Sequence, residues 1–451
     1  MQLKTLLPLM LFFLTSHLAS FRVWAQNTAP GVSSVAFFEV ASSTEKPDAD
    51  SRAIEGAPLP NLTYEKSPES GSDTRLGPVP PEDIEPFATS LLRNSLTDWT
   101  AEHHLRFFGW ANGGYTQSST GEGLLAVEPR ANRFGDTWLL NQGAFVLERT
   151  LVPEAWSWGF RAEFYMGADA ALLHPLNGIG PSQTPRFGYD FRQAYFSLHA
   201  PILTERGVDL KLGRQYTPLG YETAMAPYRP MYSQAYAWIY SQNGATTGAI
   251  ATIHVDPKLD VIGGATLGVN SLFDWRGRAP CYIARGIYWL QTDKRTKLVG
   301  TFYTGPQPIA AASGHVGQWQ NEVELQLVHN VNRWLTLVSE TNFGSDKRDP
   351  ANKLNTSWWY GTSGFGIVHV HRLLDVNTRA EWFDDADGSR TGKKANYGET
   401  TAGLNFMPKR AFNLRPEFRY DLANNAVFGP AGTSRLVSHQ WTFAFDAMLK
   451  F

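Results

Sequence analysis

Alternation with a period of two is the feature that most constrains how this chain can fold. In "FNLRPEFRYDL", apolar or aromatic residues from Leu414 to Leu422 alternate with Arg415, Glu417 and Arg419. The segments "SWGFRAEFYMG" and "LDVNTRAEWF" show the same pattern. Because successive side chains of a β-strand point to opposite faces, this period predicts strands with one apolar face and one polar face.

About sixteen such segments recur within residues 101–451, and their connections alternate in length. Tight connections such as "VDPKLD" and "HRLL" are followed by long ones, of which residues 215–240 form the most informative. This alternation of short and long connections is typical of an antiparallel up-and-down sheet whose two rims face different compartments. The predicted strands begin near Leu105, Trp138, Trp158, Phe191, Val208, Gly248, Leu259, Arg285, Lys297, Gln318, Trp334, Trp358, Asp375, Tyr397, Phe412 and Val437.

The composition of the two faces distinguishes a membrane barrel from a soluble sandwich. A sandwich buries a mostly aliphatic face, whereas the apolar face here is rich in Phe, Trp and Ala. Amphipathic rings that cluster near strand ends fit the two membrane interfaces. These rings are Trp156, Trp158, Trp289, Trp334, Trp358, Trp359 and Tyr360. Since lipid offers no hydrogen bonds, such strands must close without an edge, so we predict an all-β transmembrane barrel with both termini in the periplasm.

The first hundred residues differ from the rest. Lys4 and the apolar run 6–14 predict a cleaved export signal over residues 1–25. Residues 26–100 carry 12 Asp and Glu against 5 Lys and Arg, with nine prolines. This composition predicts a largely disordered periplasmic arm with one short amphipathic helix at 87–96.

Charge and cysteine content exclude several other classes. The 40 Lys and Arg nearly balance the 42 Asp and Glu, which does not favour nucleic-acid binding. Cys281 is the only cysteine, so neither a disulfide framework nor a lipidated signal junction is expected.

Three segments resemble a known family. They are "HLRFFGWANGGYTQS" at the start of the barrel, "VDLKLGRQYTPLGYE" in its middle and the phenylalanine-terminated last strand. Over roughly residues 99–451 the chain resembles the OmpL-like outer-membrane β-barrel porins, also called β-barrel porin type 2. The resemblance implies a bacterial outer-membrane location and a passive pore, and it implies no particular substrate, catalytic residue or cofactor.

The polar faces of the strands predict the pore lining. The expected lumen residues are Arg161, Glu163, Lys211, Glu322, Glu324, Arg379, Glu381, Arg415, Glu417, Arg419, Asp446 and Lys450. Mixed charges on such a wall can filter solutes by size and charge, or they can satisfy one another across strands as a stiffening ladder. The two interpretations are compatible.

The loop at residues 215–240 combines seven candidate residues, and a connection of this length is usually functional or mobile. They are Tyr216, Tyr221, Glu222, Tyr228, Arg229, Tyr232 and Tyr236. Folded into the lumen, the loop would narrow the pore, and its tyrosines could give sugar rings a path. Packed on the rim, it would be an ordinary outer loop.

The last strand, "WTFAFDAMLKF", puts Phe443, Phe445, Leu449 and Phe451 on one face. We predict that this face contacts lipid and that Thr442, Asp446 and Lys450 look inward. By resemblance, the terminal phenylalanine is a signal for the machinery that inserts barrels into the outer membrane.

The predicted function is passive diffusion of small hydrophilic solutes, without catalysis, cofactor or metal. A saccharide-selective pore, an outer-membrane enzyme such as a phospholipase, and a plugged structural or adhesive barrel remain as alternatives. The expected partners are membrane lipid, the insertion machinery and the solutes, and homo-oligomers are an expectation for the class.

Overall fold

The computed structural model describes residues 99–451, with gaps at 101, 128–129, 175–183, 185, 243, 270, 273–278, 308–317, 348–355 and 386. The predicted export signal and the helix at 87–96 lie outside these residues, as does the predicted arm except for its last two positions. No helix in the described part of the chain is long and apolar enough to cross a membrane.

Sixteen strands close into one antiparallel barrel, and a small two-stranded sheet of β2 and β3 accompanies it. The strands are β1 (Leu105–Ser118), β2 (Gly123–Leu124), β3 (Phe134–Gly135), β4 (Thr137–Arg149), β5 (Ser157–Gly167), β6 (Gly188–Ala200), β7 (Val208–Tyr216), β8 (Ala245–Asp256), β9 (Leu259–Val269), β10 (Cys281–Trp289), β11 (Thr296–Gln307), β12 (Gln318–Asn332), β13 (Leu335–Lys347), β14 (Ser357–His371), β15 (Leu374–Asp385), β16 (Ala395–Lys409), β17 (Phe412–Ala423) and β18 (His439–Lys450). Each predicted strand start lies within four residues of an observed one. The prediction of an all-β, antiparallel up-and-down barrel is confirmed.

Within the described residues, four short helical segments lie in the connections between strands. They are the α-helix α1 (Ala168–Leu172), two 3-10 helices (Arg130–Asn132 and Ala226–Tyr228) and a π-helix (Ala237–Ser241). None interrupts the barrel wall, since each lies between the strands on either side of it.

The barrel closes where the first strand meets the last. Trp110 pairs with Lys450 across β1 and β18, and Leu105 pairs with Arg149 across β1 and β4. The amide of Gly109 donates to the carbonyl of Phe451 at 2.7 Å, and the amide of Phe451 returns a bond of 3.0 Å. The seam therefore satisfies the backbone groups that an open edge would expose.

Side chains alternate between the two faces of the wall as the sequence pattern predicts. In β18, Phe443 and Leu449 are 46% and 51% exposed on the outer face, whereas Thr442 and Asp446 are 0% exposed on the inner face. The outer face is thus a broad apolar surface, and the charged groups are concentrated inside.

The interior also receives one aromatic residue that we expected at a membrane interface. Trp358 is exposed on the outer face, but Trp359 is 1% exposed and donates from its indole N–H to Ser241 Oγ at 2.8 Å. Two consecutive strand residues cannot share a face, so the prediction for Trp359 was wrong.

The two rims of the barrel differ in the length of their connections. One rim carries tight turns, such as the two-residue connection between β8 and β9, and we call it the short-turn rim. The other carries the long connections, including residues 217–244 between β7 and β8, and we call it the long-loop rim. The described beginning of β1 and the end of β18 both lie at the short-turn rim.

Candidate functional site

Residues 217–242, which we call the inner loop, lie inside the barrel. Carboxylates on distant strands accept hydrogen bonds from its backbone. Glu417 on β17 accepts from the amides of Tyr232 and Ser233 at 2.9 and 3.0 Å, and Glu381 on β15 accepts from those of Tyr236 and Ala237. These bonds join the loop to residues as far as 145 and 185 positions further along the chain.

Two more carboxylates bind the start of the loop. Glu324 on β12 accepts from the amide of Gly220, and Glu340 on β13 accepts from that of Tyr221. All four wall carboxylates are at most 3% exposed. Each therefore binds backbone N–H groups in a region from which water is excluded, where such charge-assisted bonds are strong.

Guanidinium groups of the wall bind the carbonyl groups of the same loop. Arg415 donates to the carbonyls of Ala226 and Arg229 at 2.9 and 2.8 Å. Arg379 donates to that of Ser233 at 3.0 Å. Further donors to loop carbonyls are Arg419 to Gln234, Asn377 to Pro230, Gln142 to Ala224 and Arg285 to Pro218. Backbone donors and acceptors of the loop are thus both satisfied by side chains of the wall.

The wall charges also pair with one another. Arg415 contacts Asp446, Arg379 contacts Glu399 at 2.9 Å, and Arg419 contacts Asp421 at 2.8 Å. Near β5, Arg161 lies between Glu148 and Glu163 at 2.8 and 2.7 Å. The expected ladder across strands is therefore present, but it is also the framework on which the inner loop is fixed.

The structure places every predicted lining residue on the inner face, in different surroundings. Glu322 is buried near Gln320, Lys450 is 1% exposed, and Lys211 keeps partial exposure with its ammonium group 5.0 Å from the centre of the Tyr195 ring. The remaining nine form the ion pairs and loop contacts described above. Most of these side chains are therefore covered by protein and do not face open water.

Three of the predicted loop tyrosines use their hydroxyl groups within the protein. Tyr216, which belongs to β7, donates to Glu163 at 2.6 Å, Tyr232 donates to Asn141 at 2.8 Å, and Tyr236 donates to Asp421 at 2.6 Å. Tyr232 and Tyr236 are completely buried. These rings offer no face to a sugar in this conformation, whereas Tyr221 and Tyr228 remain partly exposed.

Glu222 and Arg229 stabilise the fold of the inner loop itself. Glu222 accepts from the amide of Ala235 at 2.7 Å and contacts Arg379 at 3.1 Å, and Arg229 contacts Asp169 at 2.8 Å. Burial raises the pKa of the Glu222 carboxyl, and the Arg379 guanidinium partly opposes that rise. Both residues are structural parts of the loop.

The partly exposed charges of the inner wall lie toward the short-turn rim. The side chains of Arg106 and Arg161 are 23% and 13% exposed, and that of Asp209 is 22% exposed. Lys211 is the fourth partly exposed charge in this region. The partly exposed charges of the described inner wall on this side are therefore three cations and one carboxylate.

Acidic and histidine side chains outside the predicted pore lining have structural roles. Asp385 in "DDADG" accepts from the amides of Ser389, Arg390 and Thr391, so it holds a turn. His369 pairs with Asp375 at 2.7 Å. Within the described residues, no three His, Cys, Asp or Glu side chains are grouped so that they could hold a metal ion.

The sequence prediction missed Glu340, Gln142 and Asn141. Glu340 follows the same alternation as Glu324 on the neighbouring strand, so the period of two could have identified it. Gln142 and Asn141 are both buried on adjacent positions, because the register shifts where β1 pairs with β4. Such a bulge turns two consecutive side chains inward and is not visible in the hydropathy pattern.

A closed barrel with an apolar outer face, a charged inner face and a long loop inside it has the architecture of an outer-membrane channel. Residues 104–451 match the family described as "Putative beta-barrel porin-2, OmpL-like", and the chain belongs to this family. No curated protein matches the sequence significantly.

Solved porin structures share the fold at low sequence identity. An anion-selective porin from Comamonas acidovorans is 12% identical, with a TM-score of 0.56, and the match covers 77% of this chain and 99% of that chain. The outer-membrane channel DcaP of Acinetobacter baumannii is 10% identical, with a TM-score of 0.53 and coverages of 77% and 97%. OprB of Pseudomonas putida is 9% identical, with a TM-score of 0.51 and coverages of 79% and 96%.

Proposed function

We propose that this barrel is a passive pore for small hydrophilic solutes in the bacterial outer membrane and that the inner loop sets its size limit. The observation that carries the proposal is that the loop begins and ends at β7 and β8 but is attached across the barrel to the wall of β12–β17. The attachments are Glu324 and Glu340 at its start and Glu381 and Glu417 further along. A loop fixed in this way reduces the free cross-section of a barrel that is otherwise wide enough for an aqueous channel.

The loop acts in this proposal as a fixed constriction. Each carboxylate or guanidinium contact would have to break for the loop to leave, and the groups left behind would be buried without partners. Solutes therefore pass beside the loop, and the partly exposed Arg161 and Lys211 line part of their path.

A saccharide-selective pore has less support from these contacts. Tyr232 and Tyr236 are buried with their hydroxyl groups already bonded, which leaves Tyr221 and Tyr228 as the partly exposed rings of the predicted path. We accordingly propose that the pore discriminates between solutes by size and charge. We also propose that the barrel acts as a channel and does not act as an enzyme.

Single-channel recording in planar bilayers tests the proposal. The native barrel is expected to give small ohmic steps. A variant in which residues 222–239 are replaced by a short Gly-Ser linker is expected to give steps several-fold larger. A matched variant with the exposed residues 432–435, at the long-loop rim, replaced in the same way should keep the native step size.

The outcomes separate the alternatives. Native steps that do not grow when the inner loop is shortened would contradict its role as the constriction. Absence of current in all three proteins, with folding verified by circular dichroism, would overturn the pore and favour a plugged barrel. Current blocked by neutral oligosaccharides at low concentration would instead support saccharide selectivity.

Delivery to the membrane completes the proposal. Residues 1–25 are proposed to direct export, and the exposed face of Phe443, Phe445 and Leu449 is proposed to contact lipid.

The Phe451 ring lies 5.8 Å from that of Phe145 on the outer face, where the insertion machinery could bind the strand before the barrel closes. Replacing Phe451 with Asp should reduce the inserted fraction in membrane extracts, and unchanged insertion would count against this role. Because homo-oligomers are expected for outer-membrane porins as a class, we also propose that this barrel forms homo-oligomers.

A further inference from the structure

We propose that Arg192 and Arg214 form a binding site for a small oxyanion, a carboxylate or phosphate group, on the inner wall of β6 and β7. The site is separate from the contacts that hold the inner loop. It does not depend on whether the barrel conducts.

The two guanidinium groups share one carboxylate. Asp190 Oδ2 lies 3.2 Å from Arg192 Nη1 and 3.0 Å from Arg214 Nη2. Arg214 Nε also donates to the carbonyl of Arg192 at 3.3 Å, and Arg192 Nη1 donates to that of Leu173. The cluster therefore holds two positive charges against one negative charge.

This excess charge is buried. Arg192 is 0% exposed and Arg214 is 2% exposed. Other groups close to Arg192 are neutral: the Tyr216 ring, whose centre is 5.9 Å from Arg192 Cζ, and the hydroxyl of Tyr165, which bonds Tyr216. An uncompensated charge in such surroundings is costly unless a partner of opposite sign is present.

Hydrogen-bond donors of the same two side chains lack partners. Among the described residues, no acceptor lies within reach of Arg192 Nε, Arg192 Nη2 or Arg214 Nη1. Guanidinium nitrogens only donate, so whatever completes the cluster must accept. Water could accept these bonds, but only an anion also cancels the excess charge, and arginine pairs match the several oxygens of a carboxylate or phosphate.

The backbone is shaped to bring both arginines inside. Glu163 pairs with Gln193 and Phe164 pairs with Phe191, so Arg192 is the extra residue of a bulge and faces no partner on β5. In β7, Leu212 is 44% exposed whereas Arg214 is buried, because the alternation breaks at Gly213, whose φ is +130°. Alternation counted from the exposed Ala194 and Leu212 would have placed both arginines on the outer face, and bulges that re-aim side chains are common at binding sites.

His174 marks the side from which an anion could enter. It follows α1 near the long-loop rim, and its Nδ1 lies 4.0 Å from Asp190 Oδ1 with its side chain 16% exposed. The charged and titratable groups around the site are thus Arg192, Arg214, Asp190 and His174, with Tyr216 and Tyr165 beside them.

Isothermal titration of the folded barrel in detergent tests the site, with inorganic phosphate and acetate as separate probes at constant ionic strength. The native protein should bind one anion. Arg192→Gln and Arg214→Gln should each weaken binding about tenfold or more, because each removes charge-assisted bonds. Asp190→Asn should strengthen binding, since it removes the competing carboxylate. Arg372→Gln, at an exposed turn, serves as the matched control and should bind as the native protein does.

Crystals grown with selenate give a second readout that does not depend on the variants folding. Anomalous density within hydrogen-bond distance of Arg192 and Arg214 is expected. Water alone at that position, or equal titration curves for the native protein and both arginine variants, would overturn the proposal. Conductance in bilayers is recorded separately, so failure of the anion site and failure of the pore are distinguishable.

Discussion

Arg379 and Arg192 are 1% and 0% exposed on the inner face of the barrel, yet their partners differ. Arg379 contacts Glu399 at 2.9 Å, Glu222 at 3.1 Å and the inner loop at Ser233. Arg192 shares the Asp190 carboxylate with Arg214, and two of its three guanidinium nitrogens have no acceptor among the described residues. The wall around Arg379 has an excess of carboxylates, whereas the wall around Arg192 has an excess of guanidinium groups.

The difference shows that inward-facing charges in this barrel are of two kinds. Between β12 and β18 they form a scaffold for the backbone of the inner loop, and the protein itself supplies every charge partner of Arg379. Between β5 and β7 the protein leaves positive charge for a partner of another kind. The alternating pattern therefore codes for a fixed internal structure on one side, whereas two breaks in it, the bulge at Arg192 and the turn of the backbone at Gly213, create the proposed binding site on the other.

Replacing Arg379 or Arg192 by methionine should give the largest difference in the free energy of unfolding between the two walls. Arg379→Met leaves Glu399 and Glu222 buried with one fewer cation, and it should lower the free energy of unfolding by about 3–5 kcal/mol. Arg192→Met leaves Arg214 and Asp190 as a balanced pair, so its effect should be far smaller in buffer without oxyanions. Urea unfolding of the barrel refolded into lipid vesicles, followed by tryptophan fluorescence, measures both. Equal losses would remove the distinction between the two walls, and Arg372→Met provides the exposed control.

Two carboxylates allow a finer test. Glu381 accepts from the amides of Tyr236 and Ala237, whereas Glu163 on the other wall bonds only side chains, those of Arg161, Gln193 and Tyr216. Glu381→Gln leaves at least one loop amide without its acceptor, at a local cost of about 1–3 kcal/mol. Hydrogen exchange in a peptide that spans residues 232–240 should therefore become faster. Glu163→Gln should leave that exchange unchanged. Faster exchange in both variants would mean that the wall near β5 also holds this part of the loop, in addition to Glu381 on β15.

Much of this fold follows from the sequence because its signals are local. Alternation locates the sixteen barrel strands, and the same period sends Arg415, Glu417 and Arg419 inward. Besides the ion pairs with Asp446 and Asp421, these side chains bind backbone groups of a loop from far away in the chain. Those partners could not be predicted, because loop conformation leaves no period. Arg192 and Arg214 were missed for a related reason: a bulge and a glycine with positive φ reverse the alternation on which the prediction rests.

The smallest expected effect concerns Lys211, which is partly exposed and lies over the Tyr195 ring. Lys211→Gln removes one fixed positive charge from the partly exposed inner wall of β7, so the pore should admit cations relatively better. The shift in reversal potential under a KCl gradient measures this change. It should be larger in dilute salt, because at 0.1 M a surface charge is screened over about 10 Å. Lys393→Gln, on an exposed turn at the long-loop rim, should shift the potential less, and an equal shift would show that selectivity is set at the mouth and not along the wall of β5–β7.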